Sequence, residues 1–303
     1  MADTILDVDN ISKNYRGKEG PFTAVKGVSF TLDAGEMVGI VGLSGSGKST
    51  VLRMAGHMEE PDAGKIRDPW EEKDLYRHIQ MVFQDPLEPF SPRMTIGEFL
   101  MEPLLNFHMY TREEAEREVI RMLEETDIPG ALLHKLPHQV SGGQLQRIVI
   151  ARALLVHPDL ILFDEPTSAL DVVTQERILR LIRKERDTFH FSGLFVSHDL
   201  AVVQEITDWV LVMERGHVVE ELPARDLRQG LHPCTRRLIR AQLPEDGHPI
   251  PSVYERGIAF YDGKVVRLVE EEEEIRKILT RGAVEKMVAL GKGHSLRVYC
   301  LVQ

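Results

Sequence analysis

The run Gly42-Leu43-Ser44-Gly45-Ser46-Gly47-Lys48-Ser49-Thr50 constrains this chain more than any other feature of it. It matches GxxxxGK[ST] and lies between a short apolar stretch, Met37 to Val41, and a helix-forming stretch, Thr50 to Ala55. A buried strand, a glycine-rich loop and a helix are the context this motif requires. The glycines let successive backbone N–H groups turn inward around a polyphosphate, and the helix start adds its positive dipole end. Lys48 is expected to reach the terminal phosphates and Ser49 to ligate magnesium.

A second apolar strand, Leu160-Ile161-Leu162-Phe163, ends in Asp164 and Glu165. On its own such an acidic pair is most often a solvated turn. With a phosphate loop upstream, both carboxylates are expected beside that loop, because open α/β sheets bind ligands at the carboxyl ends of their strands. Asp164 then suits the magnesium shell and Glu165 the orientation or deprotonation of an attacking water, since phosphoryl transfer depends on positioning and charge stabilisation. His198, after Leu194 to Ser197, and Gln84, after Met81-Val82-Phe83, end strands in the same way. His198 is expected near a γ-phosphate, and Gln84 near magnesium and water. The charged stretch Thr174 to Arg186 reads as a crossover helix between two strands, which implies a parallel sheet.

Val8 to Tyr15 and Phe22 to Leu32 read as a hairpin or edge sheet. From about Pro86 to Val156 the pattern turns helical, with Thr111 and Glu114 as a capping box ahead of Ala115, Val119 and Leu123. Leu243 to Ser252, rich in proline, glycine and charge, reads as a linker. Beyond it, Ile258 to Val269 resembles a hairpin turning at Asp262-Gly263, followed by the acidic run Glu270 to Glu274 and a helix. The spacing assigns that tail no chemistry.

Composition narrows the class. At 303 residues and 43% hydrophobic, the chain can bury a large core without disulfide or metal. A formal net charge of −11 argues against a general nucleic-acid binder, which needs a basic face. Cys234 and Cys300 are distant and form no CxxC pair, so no disulfide framework or zinc site is expected, and a reducing cytosol fits. The acidic start lacks the order of a secretory signal, and no apolar run reaches the roughly 18 residues of a membrane span. Membrane contact is expected only through a partner.

Val140-Ser141-Gly142-Gly143-Gln144, followed by Leu145-Gln146-Arg147, resembles the LSGGQ signature of the ATP-binding cassette family, with valine first. The resemblance extends to the phosphate loop, Gln84 in the Q-loop, Asp164 and Glu165, the D-loop Ser168-Ala169-Leu170-Asp171, the switch His198, and Tyr15 as adenine-stacking aromatic. It implies an α/β P-loop NTPase core with an antiparallel edge sheet and a helical insertion, plus a small α+β C-terminal extension. Residues 1–244 are the expected nucleotide-binding domain, with the helical part at about 86–156 and the extension at 245–303. It further implies ATP and magnesium as ligands, and a second cassette whose Ser141 helix start binds the γ-phosphate held opposite. Ser141 as cap, with Gln144 completing a capping box, fits an anion at that helix end.

Phe83-Gln84-Asp85-Pro86, Ser91 to Glu98, Glu102-Pro103-Leu104 and Leu231-His232-Pro233-Cys234-Thr235 resemble the oligopeptide, dipeptide and nickel importer branch. That implies a membrane permease partner and a place on the inner face of the cell membrane; a soluble cassette that remodels another protein complex is the alternative. Two departures stand out. The stretch Gly64 to Trp70 is shortened, so a reduced edge sheet is expected, and two cysteines are too few for the iron-sulfur cluster some members carry.

Overall fold

The computed structural model describes residues 3–17, 20–91, 93–168, 170–242, 258–261, 264–267, 283–291 and 293–301. The expected linker, the Asp262-Gly263 turn, and the Glu270 to Glu274 run with its helix lie outside them. In chain order the first elements are β1 (Thr4–Gly17), β2 (Gly20–Asp33), β3 (Met37–Gly42), α1 (Lys48–Ala55), β4 (Ala63–Arg67), α2 (Leu75–His78) and β5 (Ile79–Val82). Three longer helices follow, α3 (Ile96–Asn106), α4 (Arg112–Glu125) and α5 (Gly142–Leu155). Then come β6 (Leu160–Asp164), α6 (Val172–Phe189), β7 (Ser192–Val196), α7 (Leu200–Ile206), β8 (Trp209–Glu214), β9 (His217–Pro223) and α8 (Pro233–Gln242). The last elements are β10 (Ile258–Tyr261), β11 (Lys264–Arg267), β12 (Ala283–Gly291) and β13 (His294–Leu301).

Strands β8, β3, β7, β6 and β5 are neighbours in that order and run parallel. Every residue of β3, β6 and β7 is buried, which explains why they read as unbroken apolar runs: a parallel sheet is covered on both faces. Side chains still alternate between two cores. Met37, Val41, Ile161, Phe163, Phe195, Val210 and Val212 pack with α3, α4, α5 and α6 on one face. Val38, Ile40, Leu160, Leu162, Leu194, Val196 and Leu211 pack with α1 and the β1–β2 hairpin on the other.

The helices begin where their caps dictate. Thr111 and Glu114 form the expected box on α4, and Thr95 with Glu98 forms another on α3 that the sequence reading passed over. The shortened stretch after Asp62 still makes a strand: β4 pairs with β1 through Asp7↔Arg67 and Val8↔Ile66, giving a three-stranded edge sheet β2-β1-β4. β10 and β11 pair antiparallel as expected, from Ile258↔Arg267 to Tyr261↔Lys264. β9 runs antiparallel to β8, and beyond it β13 and then β12 continue the same sheet to eight strands among the described residues.

Candidate functional site

The carboxyl ends of β3, β5, β6 and β7 bring together the residues picked out in the sequence. β3 runs into the phosphate loop, where Gly42 and Gly47 have φ of 154° and 103°. A Cβ at Gly42 would lie 2.3 Å from the Met213 carbonyl oxygen, and one at Gly47 2.4 Å from that of Ala24, so both positions exclude any side chain. Gly47 caps α1 with no side-chain bond, which leaves the first N–H groups of that helix free for a ligand.

Lys48 is 6% exposed, and its Nζ donates to the carbonyl oxygens of Gly42 at 3.0 Å and Leu43 at 3.1 Å. Burial pushes its ammonium pKa down, against the pull of Glu165 and Asp164. Ser49 Oγ donates to Asp164 Oδ1 at 2.9 Å. Burial raises the Asp164 carboxyl, and that hydrogen bond opposes the rise. Glu165 adopts φ of 47°, its N–H donating to the Val196 carbonyl at 3.0 Å and its Oε2 lying 3.1 Å from His198 Nδ1. Gln84 Nε2 donates to Ser168 Oγ at 3.3 Å, and that hydroxyl donates to the Glu165 carbonyl at 3.1 Å. Gln84 therefore joins the acidic pair through Ser168, a link invisible in the sequence because it rests on the path of the chain after β6.

Tyr15, near the end of β1, donates its hydroxyl to Glu59 at 2.6 Å; burial raises its phenol pKa and the Thr50 side chain, in the first turn of α1, opposes the rise. Its register partner across the hairpin is Phe22, 54% exposed, with ring centroids 5.7 Å apart. Phe22 was missed as a site neighbour, since only the strand register identifies it.

Ser141, Gly142, Gly143, Gln144 and Asp171 form a second group at the starts of α5 and α6. Ser141 Oγ accepts from Gln144 N–H at 3.4 Å, while Gln144 Oε1 accepts from Ser141 N–H at 3.2 Å, the expected capping box. Ser141 and Gly142 are exposed. Asp171 caps α6, accepting from Val173 N–H, Thr174 N–H and the Thr174 hydroxyl, bonds that hold its carboxyl below the usual range. Among the described residues no hydrogen bond joins this group to Lys48, Ser49 or Asp164. Ala169 of the D-loop lies outside the described residues.

The donor set fits a polyphosphate with magnesium. Ser46 Oγ is buried inside the loop with no partner, α1 starts uncapped, and a hydroxyl and carboxylate stand paired at its mouth. Fold and site together define a P-loop nucleoside triphosphatase. The ABC transporter family model matches residues 25–168. Over 255 residues the chain is 39% identical to a di/tripeptide transport ATP-binding protein of Pseudomonas aeruginosa, covering 79% of each chain. Over 260 residues it is 40% identical to an oligopeptide transport ATP-binding protein of Salmonella typhimurium, covering 78% of this chain and 77% of that one. A dimeric ATP-binding cassette solved in a post-hydrolysis state with ADP and Pi is 31% identical, with a TM-score of 0.65 over 73% of this chain and 99% of that one. The chain belongs to the ATP-binding cassette family. It is an ATPase that binds ATP with magnesium, the ATP-hydrolysing subunit of an ABC transporter.

Proposed function

We propose that this subunit drives import of peptides, working as a head-to-tail pair of cassettes docked on a membrane permease at the inner face of the cell membrane. The peptide class rests on the likeness to a di/tripeptide and an oligopeptide transport ATP-binding protein. Among the described residues no helix is long and apolar enough to cross a membrane; the permease is a separate chain in this reading. Residues 1–244 are read as the cassette, with a helical part at about 86–156 that meets the permease, and 245–303 as an accessory extension.

Within the site, Gly42, Ser44, Gly45, Ser46, Gly47, Lys48 and Thr50 line the phosphates, and Tyr15 stacks on the base. Ser49, Asp164 and Gln84 hold magnesium, which neutralises phosphate charge when bound. Glu165 orients and accepts a proton from the attacking water, with His198 on its Oε2. Ser141 to Gln144 and Asp171 serve the nucleotide of the opposite cassette. The observation that carries the reading is the pair Ser49–Asp164 and the hydrogen-bonded chain His198–Glu165–Ser168–Gln84 on one sheet edge beside the buried Lys48.

The test is purification of the tagged chain from detergent-solubilised membranes of its own cell. A multi-span membrane protein should co-purify, and uptake of labelled peptides should stop in cells carrying Glu165→Gln. Recovery with soluble subunits alone, or undiminished peptide uptake, refutes the importer assignment.

A further inference from the structure

The phosphate loop leans on the turn between β8 and β9. That turn is Arg215-Gly216, both at positive φ, closing the pair Glu214↔His217. Gly216 N–H donates to the Ser46 carbonyl at 3.0 Å, and the Gly216 carbonyl accepts from Lys26 N–H at 2.8 Å. A two-residue turn is ordinarily among the more mobile parts of a sheet, and in this one Arg215 is exposed while Gly216 is buried. Here the next strand in space holds it still: Arg297 of β13 donates from Nε to the Val218 carbonyl at 2.7 Å and from its guanidinium to His217 Nδ1 at 3.0 Å.

β13 is itself anchored. It pairs with β9 at Ser295↔Glu221 and Leu296↔Glu220, and His294 Nε2 lies 2.6 Å from the carboxylate of Glu220, which is fully buried. The same carboxylate accepts from Leu231 N–H, His232 N–H and the Thr235 hydroxyl, tying α8 into the joint. At the hairpin tip Gly293 lies against the Trp209 ring, so closely that a Cβ there would come within 2.1 Å of it.

We propose that the β12–β13 hairpin is a positioning element of the ATP site: Arg297 fixes the β8–β9 turn, and the turn fixes the backbone of the phosphate loop at Ser46. The proposal rests on the reading of that loop as the holder of ATP. Backbone donors bind phosphate well only when aimed in advance, because each one that must be reordered on binding subtracts from affinity. Arg297 bonds Val218 and His217 of β9, not the phosphate loop itself; it is a positioning residue, and the C-terminal segment becomes part of the nucleotide site rather than a passive appendage.

The test uses the full chain, a fluorescent ATP analogue for equilibrium affinity, and steady-state turnover. Arg297→Ala should weaken analogue binding and raise KM for ATP by about fivefold to tenfold, as expected on loosening a charge-assisted bond, with kcat at saturating ATP within about twofold. Arg297→Lys, which keeps a donor for the Val218 carbonyl, should recover most of the affinity. Gly293→Val should repeat the alanine effect with Arg297 intact, by lifting the hairpin off Trp209. Unchanged affinity in both Arg297→Ala and Gly293→Val overturns the proposal. So does a lysine variant as weak as the alanine one, or a parallel loss of kcat, affinity and thermal midpoint, which marks a purely structural role. Lys48→Ala is measured alongside: if it alone loses ATP the phosphate-loop reading stands and this inference falls, and if it binds ATP as the parent does the reading beneath it falls.

Discussion

Glu165 sits in the left-handed region at φ of 47°, a conformation that costs a residue with a Cβ roughly 1–2 kcal/mol. Its N–H bond to Val196 and its contact with His198 hold it there, with the carboxylate against the His198 ring. Glu165→Gln keeps the shape and the hydrogen-bonding reach but removes the base. Single-turnover hydrolysis should slow by roughly 10² to 10⁴ with ATP affinity retained, and a variant turning over at the parent rate contradicts the role. This residue was legible in the sequence because an apolar strand ending in two carboxylates has few explanations once a phosphate loop precedes it. Ser168 as the link to Gln84, and Phe22 beside Tyr15, were not, because each depends on a contact between strands or loops that no spacing rule encodes.

Among elements, the sequence exposes what short-range chemistry determines. The boxes at Thr111 and Ser141 were readable because a cap and its partner are three residues apart. Ser141→Ala should cost about 1 kcal/mol at the start of α5, seen as faster amide exchange over the first turn of that helix; unchanged exchange contradicts the cap. β8 and β9 left a weaker trace, since Arg215-Gly216 replaces the Asn-Gly or Asp-Gly that announces a two-residue hairpin turn. The joint behind β9 also titrates. Burial pushes His232 down to about 4, against the pull of Glu220 and with help from Arg237 and Arg297, and its Nδ1 accepts from Cys234 N–H only when the ring is neutral. Burial would raise Glu220, but the bonds from His294, Thr235 and Leu231 outweigh it and hold that carboxyl below the ordinary range. Both folded values are depressed, so both contributions are present above the unfolded values and are lost as pH falls: His232 from about 6.5 toward 4, Glu220 below the ordinary glutamate range. For His232 the loss is about 2 kcal/mol once its residual solvent contact is discounted. Thermal midpoints should therefore fall from pH 7 to 5 in the parent and less steeply in His232→Gln; parallel curves contradict this account.

At the scale of the molecule, one sheet separates two cores, and its carboxyl edge collects the nucleotide chemistry while its far edge takes on β13 and β12. The first arrangement was legible because parallel strands, loop and acidic pair leave little freedom. The second was not, because pairing between β13 and β9 joins residues more than 70 positions apart and no local pattern selects the partner strand. The start of α5 is exposed and capped and, among the described residues, makes no hydrogen bond to its own phosphate loop. If it serves a neighbour's nucleotide, each ATP site is built from two chains, and a two-fold pair holds two such sites. A chain with Lys48→Ala and a chain with Ser141→Arg are then each inactive alone, since every site in either pair carries a defect. Mixed, they form pairs in which one site gathers both defects and the other none, so random pairing should restore roughly a quarter of parent turnover. The measurement is ATPase activity of the two purified variants, separately and after mixing at equal concentration. Activity of the mixture no greater than that of its components would show that Lys48 and Ser141 do not meet across a boundary between copies.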